Sequence, residues 1–302
     1  MWGVGEAAIV AAEVFDEMTM TRRSLRFRLV NVFAEDSWWS GNALAVIEDA
    51  GDLSDEEMQA IALQFNLSET TFVLPSATAT ARVRIFTPSF EMPFAGHPTL
   101  GTAYVVSQLG AGSDAVTLEM RAGTIAVEPE GDSWTLCAKR PMSRQADSTP
   151  AEIAEMLGLD ERDVVGPVMW VDTGSEQLVV ALSSRDAVER FQPDPRLLAR
   201  HGSNATRQGL AYAWARHAEG QVVARFFFMK HGAVVEDPGT GSACANLGGW
   251  HIATKAPLPL DLVVRQGEKT GRRCRLRLRV DAAQRIFVSG RVVEVGRGEL
   301  DA

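Results

Sequence analysis

Two short segments of this chain set a titratable residue beside a proline and a run of small residues. The first is Gly96-His97-Pro98-Thr99-Leu100-Gly101-Thr102-Ala103, and the second is Glu236-Asp237-Pro238-Gly239-Thr240-Gly241-Ser242-Ala243. HPTLGTA and DPGTGSA align without a gap; Arg84 lies 13 residues before His97, and Arg225 lies 12 before Asp237. A purely structural duplication gives no reason for one copy to carry His and the other Asp. Both side chains can move or stabilise protons. The small residues that follow open helices, whose free N–H groups and positive dipole end attract carboxylates. Glycine there lets a ligand approach the backbone. Either loop alone is explained by ordinary capping, but two together, facing one cleft, would hold an acid without Arg or Lys. A third candidate is Glu69, in Asn66-Leu67-Ser68-Glu69-Thr70-Thr71-Phe72-Val73. On an exposed loop it is a solvated charge. In a cleft, desolvation raises its pKa and suits it to proton transfer.

The elements that must position these residues follow from pattern and punctuation. Strands are expected at 26–33, 43–48, 70–74 and 81–87, with Ser40-Gly41-Asn42 turning into the second. Ser54 followed by Glu57 predicts a capping box on a helix running to about Phe65. Beyond Pro98, residues 99–109 read as a helix apolar on nearly all sides, which a curled sheet would surround. Strands at 116–120, 124–129 and 134–138 close the first half. Residues 139–150 are polar with two prolines and read as a linker. Thr149 then caps a helix over 150–157. Strands are expected at 177–182, 209–215 and 222–229, a short helix at 195–200, and a helix at 242–252 after the second loop. Strands at 262–266, 275–280, 285–289 and 291–295 end the chain. Arg275, Arg277 and Arg279 alternate as a solvated face. The domain division is an N-terminal extension (1–24), a first domain (25–140) for which the strand at about 285–298 is a candidate completion, and a second domain (141–284). In the extension, Ile9, Val10, Val14 and Phe15 read as one face of a short helix, too acidic for a targeting peptide.

Composition narrows the function classes. With 46% hydrophobic residues in 302 the chain is globular. A formal net charge of −9 and a pI of about 5.2 argue against a nucleic-acid partner. No stretch approaches the roughly 20 apolar residues of a membrane span. Cys137, Cys244 and Cys274 are odd in number and lack CxxC spacing, which disfavours a disulfide framework or zinc site and fits a reducing cytosol.

The ordered set of VNVFAEDSWWSGNALAV (30–46), NLSETTFV (66–73), RIFTPSFEMPFAGHPTLGTA (84–103), EDPGTGSA (236–243) and, less specifically, QGEKTGRR (266–273) resembles the PhzF family of phenazine-biosynthesis isomerases and their relatives. The resemblance spans about residues 25–298. It implies a diaminopimelate-epimerase-like α+β fold: two pseudo-symmetric domains, each a curled, mostly antiparallel sheet around a central helix, with the site between them. It also implies a homodimer, no cofactor, no metal, and isomerisation of the kind performed on trans-2,3-dihydro-3-hydroxyanthranilate. By motif, Glu69 resembles the family's acid/base, and His97, Asp237 and Ser242 its substrate-contacting polar residues. Gly96 and Gly241 would hold the carboxylate, with Ser40 and Asn42 as further substrate contacts. Racemases of the wider fold use a cysteine on each loop; aligned on the glycines, those places hold Ala95 and Pro238 here. His231, Trp38 and Trp39 receive no firm role.

The expected activity is therefore cofactor-independent proton movement on a small carboxylic acid, with Glu69, His97 and Asp237 catalytic. An amino-acid racemase or epimerase is one alternative, and a non-catalytic small-acid binder is the other.

Overall fold

The computed structural model describes residues 23–111, 115–230 and 232–301. The helical face expected over residues 9–15 and the loop residue His231 lie outside them. In the first half, β1 (Ser24–Val32) and β2 (Asn42–Ile47) pair antiparallel. Ser24, placed in the extension by sequence, already pairs with Asp301. Next comes α1 (Asp55–Phe65), where Ser54 Oγ accepts from the Glu57 N–H and the Glu57 carboxylate accepts from the Ser54 N–H. That is the capping box which the Ser-x-x-Glu spacing predicts. Asn66 ends α1 in the left-handed region, φ 50°, which a short polar side chain tolerates. Then come β3 (Thr70–Leu74), β4 (Ala81–Phe86), β5 (Glu91–Met92), α2 (Gly96–Val106), β6 (Val116–Met120), β7 (Gly123–Glu130) and β8 (Ser133–Cys137). Only Tyr104 of α2 escapes full burial, so this helix is a core element with no solvent face.

The second half comprises β9 (Met142–Gln145), α3 (Pro150–Leu157), β10 (Met169–Asp172), β11 (Gln177–Ala181), α4 (Arg185–Arg190), α5 (Pro195–His201), β12 (Leu210–Ala218), β13 (Gln221–Lys230), β14 (Ala233–Asp237), α6 (Gly241–Ala253), β15 (Leu260–Gln266), β16 (Cys274–Val280) and β17 (Ile286–Asp301). Three expectations change. Residues 139–150 are not a plain linker, because β9 pairs antiparallel with β10. All four of its residues are exposed, so it has no alternation to read; its partner makes it a strand. Asp237 ends a strand, β14, that the loop assignment passed over. The two closing strands are one, β17, which runs straight through Gly290, where a Cβ would lie 2.4 Å from the Phe33 ring. Glycine is there for close approach, not for a break.

The strands form one hydrogen-bonded 17-strand sheet, a mixed, sheet-rich α+β architecture. β17 is its seam, pairing with β16 over 286–289, with β8 over 287–291 and with β1 over 292–301. One large core packs Leu100, Ala103 and Val105 of α2 together with Ala243, Ala245 and Leu247 of α6. On the outside, α1 covers Phe72 and Phe86, while α3, α4 and α5 cover strands of the second half. Arg275, Arg277 and Arg279 are exposed and alternate with buried residues along β16. Among the described residues no helix is long and apolar enough to cross a membrane.

The repeated arginine has a structural origin. Arg84 on β4 grips Glu91 of β5 through Nε at 2.9 Å and Nη2 at 2.7 Å. Arg225 on β13 grips Glu236 of β14 at 2.9 and 2.8 Å. In each hairpin the glutamate stands opposite the phenylalanine two residues after the arginine, Phe86 facing Glu91 and Phe227 facing Glu236. Residues two apart share a strand face, so each guanidinium also stacks on that ring, at 5.0 and 4.7 Å. The Arg-x-Phe repeat is thus a pair of pseudo-symmetric clamps behind the two loops.

Candidate active site

α2 and α6 meet start to start. A Cβ on Gly96 would lie 3.0 Å from Ser242 N and 3.1 Å from Gly241 C, so glycine lets the two helix starts touch. Both starts border one cavity of about 570 Å³, which Gly96, His97, Gly241 and Ser242 help to line. Gly96→Ala is expected to push the starts apart, costing about 1–3 kcal/mol of stability and weakening small-acid binding, read by thermal unfolding and calorimetry. Unchanged binding would show that the joined starts do not form the acid site.

The helix starts give a register different from the sequence repeat. Counted from the caps, Ala95 matches Thr240, Gly96 matches Gly241, and His97 matches Ser242. Asp237 lies four residues before Gly241 and has no counterpart at the first start. The reason is that β14 runs on to Asp237 and a turn follows, whereas His97 is already inside α2. Ala95 and Thr240 cap the two starts, and neither these nor Pro238 is a cysteine. Cys244 is fully buried on α6, and burial pushes its thiol up.

Glu69 reaches the cavity because the left-handed Asn66 ends α1 and the chain returns as β3. Its side chain is 15% exposed and lies 3.5 Å from His97, Oε2 to Nε2. Those two atoms are sealed from solvent and have no hydrogen-bond partner. Burial, reinforced by the Asp237 charge and opposed by Arg207 and Lys230, pushes the Glu69 carboxyl up to about 8. Burial pushes His97 down to about 3 against a weaker hydrogen bond to the Ala43 backbone. At neutral pH the two are a carboxylic acid and a neutral imidazole, not an ion pair. Buried polar atoms are normally hydrogen-bonded; within the described chain these two have only each other, at 3.5 Å.

Asp237 is also buried, and burial raises its pKa against hydrogen bonds from the Thr240 hydroxyl and Asn42. Asn42 Nδ2 donates to Asp237 Oδ1 at 3.0 Å and to the Gly239 carbonyl at 3.0 Å, and lies 3.3 Å from His97 Nδ1. Asn42 does not line the cavity; it stands behind both titratable residues and ties the two loops together. Ser40 is also away from the cavity. Its hydroxyl accepts from the Glu35 N–H at 2.9 Å and donates to the Ser37 carbonyl, building the turn before β2. Trp38 and Trp39 are 65% and 74% exposed and neither lines the cavity.

Three residues escaped the sequence reading. Gln177 donates to Ser242 Oγ at 3.0 Å and accepts from Asn246 Nδ2 at 2.8 Å, while Asn246 Oδ1 accepts from the Thr173 N–H and hydroxyl. This chain fixes the Ser242 oxygen as an acceptor and leaves its O–H to donate. Gln266 donates to the Asp237 carbonyl at 2.8 Å and to Thr240 Oγ1 at 2.9 Å, bracing the turn between β14 and α6. A lone Asn in the apolar helix α6 was the one available signal; Gln177 had none. Among the described residues no cluster of three or more His, Cys, Asp or Glu could hold a metal ion.

Comparison with known proteins finds relatives along most of the chain. A family model described as phenazine biosynthesis-like protein, PhzC-PhzF, matches residues 30–298. An uncharacterised isomerase of Pasteurella multocida is 41% identical over 278 residues, covering 91% of this chain and 93% of its own. The trans-2,3-dihydro-3-hydroxyanthranilate isomerase of Pseudomonas aeruginosa is 37% identical over 268 residues, covering 85% of this chain and 91% of its own. The crystal structure of a Bacillus anthracis PhzF-family protein shares the fold with a TM-score of 0.81 at 24% identity, covering 92% of this chain and 99% of that one.

Proposed function

The chain belongs to the phenazine biosynthesis-like PhzC-PhzF family and is an isomerase, and we propose that it moves a proton between carbons of one small, unsaturated carboxylic acid, with Glu69 carrying the proton. The observation that supports this most is the buried, unpartnered pair of Glu69 Oε2 and His97 Nε2, 3.5 Å apart at the cavity. As a carboxylate, Glu69 takes a proton from one C–H of the substrate. The electron pair left behind spreads through the conjugated system, and the same proton then returns to another carbon on the same face. The double bonds shift, no atom is lost, and the scheme uses no cofactor. The joined starts of α2 and α6 hold the substrate carboxylate. His97, Asp237 and Ser242 orient its amino or hydroxyl groups. Asn42 acts through His97 and Asp237 and is a positioning residue.

The substrate class we favour is a cyclic acid related to trans-2,3-dihydro-3-hydroxyanthranilate, for which the Pseudomonas aeruginosa relative is named. Proton NMR in D2O with that compound, proline, hydroxyproline and diaminopimelate, each beside Glu69→Gln, tests the reading. Glu69-dependent deuterium uptake with a new double-bond isomer is expected. Exchange at Cα alone, with loss of optical activity, would replace it by an epimerase. Ligand stabilisation indifferent to Glu69→Ala, without exchange, would replace it by a binder.

The pH dependence carries a sign. Since Glu69 must start as the carboxylate and its pKa in the free protein is about 8, kcat/KM should rise about tenfold per pH unit below that value and level above it. A fall through the same pH would mean that Glu69 starts as the acid. The same proposal sets the site between two halves, residues 25–140 completed by 285–298 and residues 141–284, in a cytosolic homodimer; light scattering in solution checks the dimer.

A further inference from the structure

We propose that the substrate of this protein carries a second oxyanion besides the carboxylate at the helix starts, and that Arg207 and Lys230 bind it. This rests on the reading above and narrows its substrate class. Three arginines whose side chains are only 10–11% exposed are matched by carboxylates: Arg28 by Glu48 and Glu294, Arg84 by Glu91 and Asp55, and Arg225 by Glu236. Arg207 lines the cavity and, among the described residues, has no such partner; its Nη1 donates only to Ser175 Oγ, at 3.5 Å. Lys230 lines the same cavity and likewise forms no ion pair with a described residue.

The carboxyls of the cavity do not balance these two cations. Glu69 keeps its proton until about pH 8, which leaves Asp237, among the described residues, as the one cavity carboxyl that sets a negative charge against them. Burial makes the Arg207 guanidinium less basic, but it stays charged at any physiological pH. In a chain of net charge −9, the cavity is thus a local positive site. Phe94, Phe226 and Phe228 line it as well, and the last two rings stack at 6.2 Å with 22° between their planes, an apolar wall suited to a flat ring. A ring bearing one carboxylate, held at the helix starts, would give Arg207 and Lys230 no oxyanion of their own. A ring bearing a second carboxylate or a phosphoryl group engages both ends, and a guanidinium fork takes either oxyanion in bidentate fashion.

The test is calorimetry on the full chain with unreactive probes: benzoate, the three benzenedicarboxylates, and 3-phosphonobenzoate. At least one dianion should bind about tenfold tighter than benzoate, a difference of about 1.4 kcal/mol. That ratio should fall to about two in Arg207→Gln, and by a smaller factor in Lys230→Met, which also serves should Arg207→Gln fold poorly. Preference for the phosphonate would assign a phosphoryl group, and preference for a dicarboxylate a second carboxylate. Equal binding of benzoate and every dianion, or a ratio that survives both substitutions, overturns the proposal. The ratio involves no proton transfer, so Glu69→Gln must keep it. Exchange lost with the ratio kept would remove only the isomerase mechanism; the ratio absent with exchange kept would remove only this second site.

Discussion

Glu69→Gln is expected to lower turnover by about 10²–10⁴-fold or more while leaving the protein folded and, at alkaline pH, more stable than the parent. The native state holds the Glu69 proton until about pH 8, whereas the unfolded chain releases it near the ordinary value of 4.5. The stability this group contributes is therefore whole below pH 4.5 and is lost as pH rises through 8, because unfolding increasingly releases a proton. Glutamine has no proton to release. The variant should match the parent near pH 4 and melt progressively higher relative to it at pH 6 and 8. An inactive variant that melts lower than the parent at pH 8 would make Glu69 a structural residue. Full activity in this variant would sink the proton-shuttle mechanism.

Arg225→Ala is expected to give the largest loss of stability, about 3–5 kcal/mol. It strips the partner from Glu236, whose side chain is only 12% exposed. It also removes stacking on Phe191 and Phe227 at 4.8 and 4.7 Å, and leaves the Val188, Glu189 and Phe191 carbonyls without the donor they share. The double variant Arg225→Met with Glu236→Met removes both charges and should recover the part of the loss that lies in the abandoned charge, but not the part that lies in the three carbonyls. Urea unfolding of the three proteins measures this. A single variant within 1 kcal/mol of the parent would show that the clamp does not hold the β13–β14 hairpin. Arg207→Gln should behave oppositely, with little loss of stability, because Arg207 leaves no buried carboxylate behind.

What could be read from residue order alone was what forms over short stretches of chain. The capping box at Ser54 and the cap at Thr149 each close within three residues, so a local signal marks both helix starts. The apolar helices α2 and α6 were visible because burial on all sides removes the polar face from the sequence itself. The two glycine-rich starts and the Arg-x-Phe pairs were visible because a duplicated clamp and a duplicated helix start keep the same residues. Contacts between distant segments left no such trace. β9 is a strand only because β10 lies beside it, and β17 is continuous because Gly290 must pass Phe33. Which residues correspond at the two helix starts depends on where β14 ends, so His97 matches Ser242 and not Asp237. Asn42 reaches Asp237 across 195 residues of chain, and Gln177 reaches Ser242 across 65. The side-chain types that move protons were therefore legible in the order of residues. Their burial, and hence a carboxylic acid facing a neutral imidazole, came from packing, because desolvation depends on everything that surrounds a group and not on its neighbours in sequence.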